Sequence, residues 1–407
     1  MLLSAAMRNK MCVSASITVT IGALVAGCAV SDQTTSDSGT GKSAGGKQDQ
    51  QAAPAPEEKL DLLPGMPPPA DPGNVYAATR SGKLNEPMRQ ARELVYVPNS
   101  LDDTVSVIDP NTFEVIDTYP AGDEPQHVVP SYDMRTLYAV ADKVPGGSLT
   151  PIDPKTGKPG TPIKVQDPYN LYFTPDGKSA IVVAEAYKRL DFYDPKTWKI
   201  QSSISVPGCA GVNHMDFTAN GKRALIACEF ANRMIVLDVA NRKIIKKFDL
   251  NQVPNGKPQD TRLSPDGKTF YVADMIAGGI YLFSGDAMKY RDFIPTGDGA
   301  HGVYFSRDTK RMFVTNRGEG SVSVLSANTH EKLDKWHIPG GGSPDMGALS
   351  PDGSQLWLSG RYDSEVYVFD TKDGSLLKRI PVGNGPHGLT YMPQPGRYSL
   401  GHTSNIR

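Results

Sequence analysis

A repeat constrains this chain more than any other feature. The stretch from Gly299 to Leu325 reads as a short strand (His301 to Phe305), a polar turn at Arg307-Asp308-Thr309-Lys310, and a second strand (Met312 to Thr315). A glycine-rich turn and a third strand (Ser321 to Leu325) follow. β-Branched and aromatic residues bounded by Gly, Asp, Asn and Ser are the signal of strands and hairpins. The same text recurs along the chain. Aligned on the end of the second strand, the copies fall at Asn99, Asp142, Glu185, Glu229, Asp274, Asn316 and Gly360, with spacings of 43, 43, 44, 45, 42 and 44. Aligned on the start of the first strand they fall at His127, Asn170, His214, Asp260, His301, Met346 and His387. A period in the low forties with several short strands per unit predicts a β-propeller with one blade per repeat. A single unit exposes an apolar face, so the blades must stack to bury it. The expected fold is all-β: a seven-bladed β-propeller of four-stranded antiparallel blades over residues 94–407.

The chain enters this domain at a second strand (94–99), and its last first strand lies near His387. That strand is expected to complete the blade begun by 94–120, so that N- and C-terminal strands pair and no sheet edge is left open. Arg397 to His402 then reads as an eighth second-strand copy, which either displaces 94–99 or packs beside it.

Val95-Tyr96-Val97-Pro98-Asn99 followed by Thr104-Val105-Ser106-Val107-Ile108-Asp109, and Gly385-Pro386-His387-Gly388-Leu389, resemble YVTN-family (YncE-like) β-propeller repeats. A more distant similarity is to the propeller domain of haem-containing nitrite reductases. The resemblance covers roughly 94–402 and implies the propeller fold. It also implies a ligand, haem-type cofactor or partner site at the mouth of the central channel, without choosing among them, because one fold hosts many activities.

The N-terminus reads as an address. Arg8 and Lys10 precede an apolar run from Ile17 to Gly27, which is too short to span a bilayer and suits a secretory signal over residues 1–27. It ends in Val25-Ala26-Gly27-Cys28, which resembles a bacterial lipobox with Cys28 as the lipidated residue. The protein is therefore expected outside the cytoplasm, anchored to the cell membrane through Cys28, on the periplasmic or outer-surface side. Residues 28–72, rich in Ser, Gly and Pro, form the expected tether, and 73–93 a lead-in with a short helix near Asn85 to Arg92 and a stray strand at Val75-Tyr76. Basic and acidic residues balance at 43 against 44, which argues against a surface built to bind nucleic acid.

Four of seven histidines occupy one repeat position: His127, His214, His301 and His387, with Asn170, Asp260 and Met346 in the other blades. In a closed propeller these side chains approach one channel mouth, and Asp142, Glu185, Glu229 and Asp274 should add a ring of charge there. Such a ring could seat a metal, a cation or a flat cofactor, with copper, zinc or a non-covalent haem as candidates. The alternative is structural: imidazoles bonded to neighbouring loops and Asx turns at strand ends. A seven-strand channel is expected to hold most of the histidines far apart, leaving His127 and His387, neighbours across the closure, to share one ion. Arg262, Arg317 and Arg361 could face the same mouth. Cys209 and Cys228 are candidates for a disulfide, or with His214 and Met215 for a soft copper site. There is no nucleophile elbow, Walker loop, zinc-protease motif or covalent-haem motif. The expectation is a monomeric binding module for a small ligand or protein partner. A metal- or haem-dependent redox or lyase/lactonase-type enzyme, or a protein scaffold, are the alternatives.

Overall fold

Each repeat becomes one blade. The computed structural model describes residues 60–286, 288–402 and 405–407, so the signal segment, Cys28 and most of the expected tether lie outside the described residues. Blade 4 shows the pattern: Val212–Phe217, Arg223–Cys228, Arg233–Asp238 and Lys243–Asp249, all antiparallel, from the channel outward. The inner strand is buried along its whole length, whereas the outer strand alternates between exposed and half-buried positions because one of its faces meets water. In blade 2 the outer strand is broken into Lys158–Pro159 and Ile163–Lys164.

Closure is as expected. Thr390–Met392 pairs antiparallel with Leu94–Asn99, and a bridge between Asn99 and Pro386 extends the contact. The core is divided into seven apolar clusters, one at each interface between blades. The two-residue period of the strands produces this division. Ala224 and Ile226 pack towards blade 3, while Leu225 and Ala227 on the same strand pack towards blade 5. Each large side chain so buried contributes roughly 1.5–3 kcal/mol.

The chain outside the repeats departs from expectation. Residues 397–402 and 405–407 are no blade strand and neither displace nor flank 94–99. They form a hairpin, bridged between Ser399 and Ile406, that enters the channel and lies along the inner strand of blade 3. The Phe173 N–H donates to Leu400 O, and the His402 N–H to Leu171 O. Gly401, at φ +94°, lies so close that a Cβ there would stand 2.3 Å from Leu171 O. Arg407 ends the described chain with its guanidinium on Asp216 at 2.8 Å and over the Tyr76 ring at 4.5 Å. The bound segment also begins earlier than expected. Leu63 is buried, its N–H donates to Asn220 O, and the Val75 N–H donates to Pro265 O. Val75-Tyr76 is a turn rather than a strand. The short helix α1 is confined to Glu86–Arg89, capped by the Asn85 side chain.

Cys209 and Cys228 form a disulfide with a Cα separation of 4.8 Å, so the alternative copper site loses its thiolates. Cys228 pairs opposite Val212, three residues beyond Cys209. The bridge closes a loop with a sequence separation of 19, for which chain entropy predicts about 3 kcal/mol. A Cys209→Ala, Cys228→Ala variant should lose about that much stability in denaturant unfolding. An unchanged midpoint would show that the bridge adds nothing to the packed blade.

Candidate metal site in the central channel

The inner strands do not run straight into the channel. In blade 6, Ala300 pairs with Asn316 and Val303 with Val314, so His301 and Gly302 together oppose Thr315. The same two-against-one bulge recurs at the start of the inner strands of blades 2 to 5 and 7. Such bulges bend a strand and re-aim its side chains. They also split the expected ring into two adjacent positions. His301 and His387 take the first, and His127, Asn170, His214 and Asp260 the second. Met346 belongs to the second, so the residue level with His301 in blade 7 is Asp345.

The histidines are not held apart. His127, His214, His301 and His387 converge, and His402 joins them from the C-terminal hairpin; all five are buried. Ring centroids stand 4.7 Å apart for His127–His387 and His214–His402, 5.2 Å for His127–His402 and 5.9 Å for His301–His387. His127 and His387 touch, but they fall in different ligand sets. His127, His214 and His402 bring nitrogen atoms within 4.8 Å of one another, and separately His301 and His387 nitrogens and an Asp345 carboxylate oxygen do the same.

Four imidazoles each face a carbonyl or a carboxylate. His127 Nδ1 lies 2.9 Å from Tyr169 O, a contact in which the ring N–H donates and leaves Nε2 bare. His301 Nδ1 is 2.9 Å and His387 Nε2 3.6 Å from the Asp345 carboxylate, and His402 Nε2 is 3.4 Å from Asp260. His214 differs: its Nδ1 faces the Asn170 amide, whose NH2 also donates to His402 Nδ1 at 3.0 Å. The Asn170 carbonyl accepts from the Leu171 N–H, which fixes the amide's orientation. His127 Nε2, His214 Nε2 and His387 Nδ1 are buried with no hydrogen-bond partner. Buried polar atoms of this kind are rare and mark a place for an ion or water.

Charge inside the channel is paired. Asp260 accepts from Arg262 at 3.2 Å, and Asp345 lies 3.3 Å from Arg317. Burial pushes both carboxyls up, but the guanidinium and imidazole beside each outweigh it and hold them well below the usual carboxylate range. Arg262 is thus an internal partner and not a mouth residue. Burial pushes His127, His214 and His387 well below the ordinary imidazole value, with His402 adding to the effect on the first two and Arg361 on the third. Burial lowers His402 too, against the pull of Asp260.

At the mouth, Tyr169 lies edge-on against His127 and His214. Asp142, Glu185 and Glu229 stand one residue past the ends of their second strands, level with Arg317 and Arg361. The mouth is therefore acidic along blades 2 to 4 and basic along blades 6 and 7. Asp274, one residue earlier, instead accepts the backbone N–H groups of Lys257, Ile276 and Ala277, the structural use of a strand-end Asp. A concavity of about 970 Å³ between blades 2 and 3 contains none of the channel histidines. His402 and Asp345 were beyond repeat alignment: one lies outside the repeat, and the other was hidden by a one-residue offset that the bulge creates.

A closed seven-bladed propeller with a histidine-lined channel defines the class. The chain belongs to the YNCE-like β-propeller family, whose model matches residues 84–202 and 257–396. It is 29% identical over 195 residues to antigen Lp49 of Leptospira interrogans, covering 42% of this chain and 41% of that one, so it spans about two fifths of that relative's length. It is 24% identical over 223 residues to a 6-phosphogluconolactonase of Erwinia tasmaniensis, covering 50% of this chain and 67% of that one. Among solved structures, a functionally unknown protein from Desulfotomaculum acetoxidans aligns at a TM-score of 0.63 and 18% identity, over 74% of this chain and 99% of the other. The dihydro-heme d1 dehydrogenase NirN aligns at 0.55 and 16%, over 80% and 78%. At these identities the structures share the fold.

The buried groups set a pH profile for the metal-free protein. The four depressed channel imidazoles stay neutral where an unfolded chain takes up protons, so stability falls as pH drops below about 6.5. Burial first, and then Glu229 and Asp142, raise Glu185 to about 8; burial raises Asp142 to about 7. The folded chain keeps these protons where the unfolded chain has released them, so stability declines as pH rises towards 8. Burial raises Asp167 to about 6 and Asp274 as well, and lowers His330, so below about 6.5 five depressed imidazoles stand against four raised carboxyls; above it only the carboxyls act. Urea unfolding across this range should show a stability maximum near pH 6.5, about the unfolded imidazole value. Stability still climbing at pH 8.5 (roughly one unit above the raised carboxyls) would contradict these assignments.

Proposed function

We propose that this chain is an exported, lipid-anchored propeller that binds a transition metal through the histidines of its channel. The observation that carries the reading is the group of buried, unpartnered imidazole nitrogens. It is supported by the arrangement of His127 and His387: one nitrogen of each ring lies against a carbonyl or carboxylate and the other is unpartnered. Metal-binding histidines are held in this way. Neutral imidazoles suit copper or zinc, and the depressed proton affinity of the cluster removes the proton as a competitor. Above about pH 8, where Asp142 and Glu185 are ionised, the acidic arc of the mouth favours the approach of a cation, which would pass Tyr169 to reach the cluster.

A haem fits poorly. Rings 4.7 to 6.2 Å apart leave no space for a macrocycle among them, and no histidine is exposed to one stacked at the mouth. A lactonase-type enzyme, the reading suggested by the Erwinia relative, would need its acid, base and anion-binding groups open to a sugar; here the histidines lie beneath Tyr169.

Two measurements test the proposal. In competition with a chelator, His127→Ala should weaken copper or zinc binding at least as much as loss of an outer-shell partner does, about 10- to 100-fold. His337→Ala, on the exposed outer strand of blade 6, should leave it unchanged. Equal affinities for the two variants would remove the channel as the site. For the anchor, Cys28→Ala should shift the protein from the membrane to the soluble fraction, and continued membrane association would refute lipidation.

A further inference from the structure

We infer that the channel holds two metal ions side by side, each in its own ligand set, an inference that rests on the metal-binding reading above. The two sets share no residue: His127, His214 and His402 form one, and His301, Asp345 and His387 the other. One ion cannot serve both. Nitrogen ligands bind at about 2.0–2.1 Å, so the ligands of one ion lie within roughly 4.2 Å of each other. Within each set the atoms already lie within 4.8 Å, and small ring rotations close the difference. Between the sets the ligand atoms do not all come within that distance, although the rings of His214 and His301 stand 6.2 Å apart, centroid to centroid. The sets adjoin where the rings of His127 and His387 meet at 4.7 Å, which places the ions within a few ångströms of one another.

The two sites differ in chemistry and origin. The first is three neutral imidazoles, which impose no charge of their own; to bind there, His402 Nδ1 exchanges the Asn170 amide N–H it accepts for the ion. The second includes Asp345, whose carboxylate is shared with Arg317 at 3.3 Å. The second is built wholly from inner strands of blades 1, 6 and 7. The first is completed by His402 of the C-terminal hairpin, so it exists only while Gly401 lies on Leu171 and Tyr172 and Arg407 holds Asp216. Withdrawal of the hairpin would dismantle one site and leave the other standing.

The test counts ions. The full-length protein is loaded with copper(II) or zinc(II), desalted and analysed for metal against protein. The wild type should retain two equivalents, His402→Ala one, His387→Ala one, and the double variant none. With copper, magnetic coupling between neighbouring ions should make the resonance signal of the wild type smaller than its metal content, and each single variant should restore the full signal. Because His402→Ala could unseat the hairpin, His214→Ala on the blade 4 strand must give the same count. One equivalent in the wild type, lost equally in all the variants, would overturn the two-ion inference and leave the metal reading intact. No retained metal would overturn both.

Discussion

Three backbone pairings govern the rest of the molecule: Leu94 with Met392, Val95 with Tyr391 and Tyr96 with Thr390. They join the first described strand of the repeat to its last and turn seven stacked sheets into a ring. Without them the apolar contacts of Val95 and Tyr391 with Trp357 would face water, and two blades would offer open edges. Closure also fixes the point from which the remaining chain departs. After Met392 the backbone stands beside the channel, and the hairpin that carries His402 begins there. A blade-to-blade contact thus decides what enters the centre.

Within the channel the fold accepts polar groups that a hydrophobic core would exclude. Asp216, Asp260 and Asp345 are each fully buried against an arginine: Arg407, Arg262 and Arg317. Buried ion pairs of this kind recover little net stability after desolvation. Here they position neighbours. Asp260 faces His402, Asp345 faces His301 and His387, and Asp216 fastens the tail. The apolar interfaces between blades supply the stability, and the ion pairs supply the arrangement.

The blade count, the strand order and the closure were legible because a two-residue alternation repeated seven times has few other solutions. The disulfide was legible from two cysteines left in a domain expected to be exported. The site was legible only in part. His127, His214, His301 and His387 were visible as a repeat position, yet their convergence was not, because bulges alter register without altering the spacing of the text. Asp345 was lost to that register change and Met346 taken in its place. His402 was unreadable as a ligand, since nothing in Arg397 to His402 distinguishes a strand from a hairpin. The same applies to Leu63 and Tyr76, whose anchoring depends on turns of the opposite face.

The uneven mouth has a consequence for anything that approaches it. With Asp142, Glu185 and Glu229 along one arc and Arg317 and Arg361 along the other, the potential there varies across the opening as well as with depth. An approaching solute with separated charges experiences a torque before it makes contact, and its cationic end swings towards blades 2 to 4. Entry is thereby ordered in angle as well as in depth. Since the carboxyls of Asp142 and Glu185 take up protons at about 7 and 8, this sideways gradient weakens on mild acidification while the arginines keep their charge.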